Sequence, residues 1–133
     1  MKSLILKNNA LAKLKNATDF KTRKIIGNGL IMSSLSYIIQ VYGGCSSYLL
    51  DMLQVQQNTA ARHITKLPVY TSTKVLLDQC NWMSIRQLVM LHSLVLFHKM
   101  LNTQKLTYVY NKVKFITRET RTMDRLTIVD SKN

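Results

Sequence analysis

Apolar residues recur at helical spacing through most of the first hundred positions. Leu4, Leu11 and Leu14 mark one stripe and predict a helix over about residues 3–16. A second helix is predicted from about Asp19 to Tyr42, with Thr18 or Asp19 as its cap and Gly43-Gly44 as its stop. Gly27 and Gly29 fall inside it, and an internal glycine costs about 1 kcal/mol against alanine, so a kink or break is expected there. Ser46-Ser47 opens a third helix with Leu49, Leu53, Gln56, Ala60 and Ile64 along one stripe. Asp51 sits near its positive end, Arg62, His63 and Lys66 crowd its last turn, and Pro68 stops it. A shorter helix follows from about Ser72 to Gln79. Ser84 with Gln87 three residues on forms a capping box that opens a helix to about Leu101. Apolar residues fall on nearly every face of this last helix, which predicts a central position in the core.

From about Thr107 to Val129 the periodicity changes. Val109, Val113 and Phe115 alternate loosely with polar residues, and no Gly or Pro supplies a turn, so extended or weakly ordered chain with at most a short strand pair is expected. The fold class read from the pattern is all-α. A small bundle of four or five helices covers residues 3–104, and a basic, extended or weakly ordered C-terminal tail covers 105–133.

Charge adds what the pattern lacks. The 133 residues carry 19 Lys+Arg against 6 Asp+Glu, a net +13, yet 47% of them are apolar. That apolar content argues against disorder, which pairs high charge with low hydrophobicity. The charge is uneven: residues 25–61 hold no base and only Asp51, between two basic arms. A segment so free of charge calls for burial, in its own core or against a partner. The start, Met1-Lys2-Ser3-Leu4-Ile5-Leu6-Lys7, has too short an apolar run for a signal peptide, and the greasy run from Leu88 to Phe97 is too short to span a bilayer. An intracellular location, in cytoplasm or nucleus, with no membrane partner is therefore expected. Cys45 and Cys80 stand far apart without metal-ligand spacing and read as reduced thiols.

The residues offer little for catalysis. Asp19, Asp51, Asp78, Glu119, Asp124 and Asp130 are scattered, with no adjacent pair to hold Mg²⁺ for nucleotidyl transfer. Cys80, His92 and Asp78 have no local signature of a nucleophile and base. His92 and His98 project about 240° apart on a helix and cannot share a metal unaided. Neither a P-loop nor a dinucleotide fingerprint occurs. The reading is no enzyme, no metal and no cofactor in this chain.

The basic arms point instead to a polyanion, RNA or DNA. The candidate contacts are Lys21, Arg23 and Lys24 in the first arm, Arg62 at the end of the third helix, and Lys112, Lys114, Arg118 and Arg121 in the tail. Arg suits bidentate phosphate contacts, and Tyr108, Tyr110 and Phe115 among the tail cations suit stacking on unpaired bases.

At the third helix the sequence meets a known pattern. The run from Tyr37 to Gly43, then Leu53-Gln54-Val55-Gln56-Gln57-Asn58-Thr59-Ala60-Ala61-Arg62-His63-Ile64, resembles the stretch after the polymerase palm in reverse transcriptases of non-LTR retrotransposons, the jockey-like elements in particular. Leu76-Leu77, then Cys80-Asn81-Trp82-Met83-Ser84-Ile85, Phe97-His98-Lys99-Met100-Leu101 and Thr117-Arg118 continue the likeness in order, over about residues 5–125. Its motif residues here are Gln57, Asn58, Ala60, Arg62 and Trp82. Tyr42 stands where the family usually has Trp, Leu106 where Pro is usual, and the catalytic Asp-Asp box and palm are absent. The resemblance implies a non-catalytic C-terminal fragment, thumb and downstream, of an RNA-directed DNA polymerase that would use Mg in its missing palm. Such a piece grips template–primer. Two roles compete for Gln57, Asn58 and Arg62: contact with a nucleic-acid backbone, or packing that ties the helix to its neighbours. Gln57 and Asn58 differ by 100° around a helix and cannot point the same way, which favours packing. The alternatives are a helical interaction module docking through residues 25–61 onto another protein or the missing palm, and a decayed fragment without selected function.

Overall fold

The structure, a computed structural model, describes residues 2–42, 44, 46–103, 113–115 and 126–128. Among them the architecture is an all-α bundle, as the periodicity predicts. Its helices are α1 (Lys2–Leu14), α2 (Phe20–Gly27), α3 (Ser33–Tyr42), α4 (Ser47–Thr65), α5 (Thr73–Cys80) and α6 (Ile85–Thr103). A π turn, Asn28–Met32, joins α2 to α3 without a break, so the six segments make five rods. Two three-residue strands, β1 (Val113–Phe115) and β2 (Leu126–Ile128), pair antiparallel with Val113 opposite Ile128. The chain divides into two compact units, residues 1–92 and 93–133.

The helix ends follow local chemistry. Asp19 caps α2 by accepting from the Thr22 N–H at 3.4 Å. At α6 the capping box closes reciprocally: the Ser84 N–H donates to Gln87 Oε1 at 2.9 Å and the Gln87 N–H to Ser84 Oγ at 3.3 Å. Lys66 ends α4 in the left-handed region at φ 61°, and Asn81 ends α5 at φ 53°. Asp51 lies in the second turn of α4 and pairs with Arg86 at 3.1 Å on the exposed surface, a contact worth under about 1 kcal/mol.

The centre of the first unit is α4, against which α1, α2 and α5 pack. Its inward stripe is Leu53, Gln57, Ala60, Ala61 and Ile64. This corrects the expected stripe by one position: Gln57 is buried rather than Gln56, and Leu49 is exposed. The paired alanines carry no side chain beyond Cβ, which lets neighbouring helices approach α4 closely. A second correction concerns α6, which is not the central helix. Ile85 and Leu88 anchor it in the core, while Met90, Leu91, Leu94, Val95 and Leu96 are exposed. Apolar residues all round a helix express its hydrophobicity but name no inward face.

At the glycines, where a kink or break is expected, the helical rod instead continues unbroken through the π turn. Gly27, the residue before it, is buried where α2 crosses α4: a Cβ there would lie 2.5 Å from Ile64 Cδ1 and 3.5 Å from Trp82 Cζ2. The Trp82 indole N–H donates to Asn28 Oδ1, the first residue of the π turn, at 2.7 Å. Gly29, two residues on, has nothing within 4 Å of its Cβ position. Gly27→Ala forces the fully buried Ile64 to move within a filled core and should cost about 1–3 kcal/mol. Gly29→Ala should instead raise stability by up to about 1 kcal/mol. Urea unfolding of the two variants followed by circular dichroism checks the pair, and equal effects would show that the crossing at Gly27 is not tight.

Candidate nucleic-acid interface

Three chain segments converge at one end of the first unit: the end of α1, the start of α2 and the end of α4. Arg23 fastens them. Its Nε donates to the Ile64 carbonyl at 2.9 Å and its Nη1 to the Lys15 carbonyl at 3.2 Å, with a further bond to the Thr18 carbonyl. Arg23 is 4% exposed. The expectation that it faces phosphate is thus corrected, because its fork is taken up by backbone carbonyls in the interior.

The cations that this clasp gathers remain accessible. Lys21 and Lys66 are exposed, and Lys15, Lys24 and Arg62 are half-buried, as is the neighbouring His63. Burial, and then the neighbouring Lys15 charge, holds the His63 imidazole below its ordinary pKa, which places the two side chains near each other. Burial pushes the Cys80 thiol up to about 11 although the Lys24 charge pulls the other way. Cys80 is therefore an inert, buried thiol beside the same basic region. The one acid in these segments is Asp19, whose carboxyl the Thr22 hydroxyl holds below the usual range.

Arg62 turns toward the loop before α5, where its Nη2 donates to the Val69 carbonyl at 3.3 Å. Its Nε is buried with no hydrogen-bond partner. Of the four predicted contacts on the bundle, Lys21 and Lys24 lie on the basic end, Arg62 is partly committed to the loop, and Arg23 is interior. Lys112, Arg118 and Arg121 lie outside the described residues, as do Tyr108, Tyr110 and Cys45, and Lys114 falls in β1. Lys15 was not among the predicted contacts. The signal for it is the density of cations over residues 13–24, where Lys13, Lys15, Lys21, Arg23 and Lys24 fall within twelve positions.

The motif residues form a packing hub. Gln57 donates to the Met83 carbonyl at 2.8 Å and approaches Met32 Sδ at 3.5 Å. Gln54 donates to Gln57 Oε1 and to Asn58 Oδ1, both at 2.9 Å, and accepts the Ile85 N–H at 2.9 Å. Asn58 donates to Thr73 Oγ1 at 3.0 Å. Ala60 and Trp82 are buried in the core. The side chains of Gln57 and Asn58 thus tie α4 to the π turn, to the start of α5 and to the entry of α6.

Among the described residues no group of His, Cys, Asp and Glu has the arrangement of a metal site, and no helix is long and apolar enough to cross a membrane. Comparison with known protein families, curated proteins and solved structures finds no match to this chain.

Proposed function

We propose that this chain binds RNA or DNA through the basic end of its helical bundle and performs no chemistry of its own. The observation that carries the reading is that Arg23 joins three segments, which carry Lys15, Lys21, Lys24 and Lys66 and hold a single acid. Such a patch attracts the phosphate backbone without reading sequence. The resemblance to the post-palm region of non-LTR reverse transcriptases gives the proposal its particular form: a grip on template–primer beside a catalytic palm that this chain lacks.

A short RNA–DNA hybrid should bind at about 50 mM salt and weaken steeply toward 200 mM, with a log–log slope of about 0.7–0.9 per phosphate contacted. Combined reversal of Lys21, Lys24 and Lys66 to Glu should flatten that slope by two to three contacts' worth. If reversing Lys112, Lys114, Arg118 and Arg121 flattens it instead, the tail carries the contact. No binding at low salt would sink the reading. A second reading, docking of a protein through residues 25–61, draws support from Leu30, Tyr37 and Val41, three exposed apolar residues on one stripe of the rod formed by α2 and α3.

A further inference from the structure

The first two turns of α1 and of α3 flank a cleft of about 380 Å³, within the size range of small-ligand sites. Leu4 and Ile38 give it an apolar lining, Lys7, Ser33 and Ser34 a polar one, and Tyr37 is 68% exposed beside them. Lys7 is half-buried, and its ammonium donates to Ser34 Oγ. The serine protons point elsewhere: Ser33 Oγ donates to the Gly29 carbonyl and Ser34 Oγ to the Leu30 carbonyl. Ser34 therefore meets Lys7 as an acceptor and fixes its position. An ammonium has three donors, and among the described residues no carboxylate lines the cleft to take the other two.

The cleft borders the π turn. Gly29 and Leu30 belong to that turn, whose wider ladder runs from the Ser33 N–H to the Asn28 carbonyl five residues back. The serines hold its displaced carbonyls in place. Single π turns within α-helices occur often at functional sites.

We infer that this cleft is a nucleotide-phosphate site, with the anion on the Lys7 ammonium and the base against the Tyr37 ring. The inference rests on the nucleic-acid reading but sits on different residues from the basic end. Among the described residues Lys7 has no counterion, so its ammonium is left with donors for an anion. An exposed aromatic ring beside it suits a planar base, and stacking of this kind tolerates any base. The phosphate has two sources, a free mononucleotide or the 5′ end of a strand.

Thymidine 5′-monophosphate, titrated into the full chain, should shift backbone amide resonances at residues 3–7 and 33–38. Thymidine without the phosphate should not. Lys7→Gln keeps a donor for Ser34 and should weaken the nucleotide by about tenfold, the loss of one charge-assisted contact. Tyr37→Ala, at an exposed position, should weaken the nucleotide and leave inorganic phosphate binding unchanged. If 5′-phosphorylated hexathymidylate competes and the unphosphorylated strand does not, the source is a strand end; if neither competes, it is the free nucleotide. No shift at millimolar nucleotide, shifts at other residues, or affinity unchanged in both variants would overturn the assignment, as would an acidic helical peptide perturbing the cleft where the nucleotide does not. Hybrid binding that persists while the cleft stays silent overturns this site alone. Nucleotide shifts without hybrid binding overturn the basic end alone.

Discussion

Arg23→Met should lower the unfolding free energy by about 3 kcal/mol, near the lower end of the cost of breaking a buried charged contact. The methionine preserves the apolar stem, so the loss isolates the guanidinium. That group bonds the carbonyls of Lys15, Thr18 and Ile64, and among the described residues no carboxylate takes part. Ile64 lies in the last turn of α4 and Lys15 just beyond α1, where carbonyls lack intrahelical partners and carry the negative end of the helix dipole. Hydrogen bonds to a charged donor are worth about 1.5–3 kcal/mol each, but water entering the gap would recover part of the sum. Arg23→Lys should be intermediate, since a point charge cannot reach three diverging acceptors. Urea unfolding monitored at 222 nm measures both. A midpoint within error of the unchanged chain would show that the clasp is dispensable. Below its midpoint, Arg23→Met should still bind the hybrid within about twofold, because its fork faces carbonyls rather than phosphate. A much larger loss would return Arg23 to the interface.

The same residue shows where sequence reading reaches its limit. Lys21-Thr22-Arg23-Lys24 is a cationic run on a helix, and the three bases differ only in direction around the axis. Which of them points inward depends on where α4 lies, a tertiary fact. Helix existence was legible because caps and stops are local: Asp19, the Ser84–Gln87 box and the stop before Pro68 each act within a turn. The glycines marked the place where the helix departs from α geometry, but the unbroken π turn found there was not legible. The position of α6 was illegible, since a helix apolar on all sides carries no phase. The hub around Gln54 was hidden differently, because a half-buried glutamine carries no hydrophobic signal and reads as a surface residue until its partners are known. For Gln57 and Asn58 the angular argument alone favoured packing, and their bonds to Met83 and Thr73 follow that direction.

Gln57→Leu and Gln57→Glu should both destabilise the bundle, and only the second should depend on pH. Gln57 is fully buried and donates to the Met83 carbonyl while accepting from Gln54. Leucine fills similar space but strands that carbonyl and a Gln54 donor, each unmet group costing about 1–3 kcal/mol. The expected loss is about 3 kcal/mol, constant between pH 5 and 8. Glutamate keeps the acceptor for Gln54 but turns a donor into a charged oxygen facing a carbonyl. Both burial and that carbonyl favour the protonated acid, so its pKa in the folded state rises above the unfolded value of about 4.3. Where the folded value is the higher one, the folded chain binds more protons, and stability increases as pH falls through the folded pKa toward the unfolded one. Once protonated, the acid donates to Met83 as the amide did. Gln57→Glu should therefore be much less stable than Gln57→Leu at pH 8 and should recover as the solution is acidified, relative to the unchanged chain at each pH. Parallel pH dependence in the two variants would mean that Gln57 does not meet Met83, and the hub would have to be redrawn around Gln54 alone.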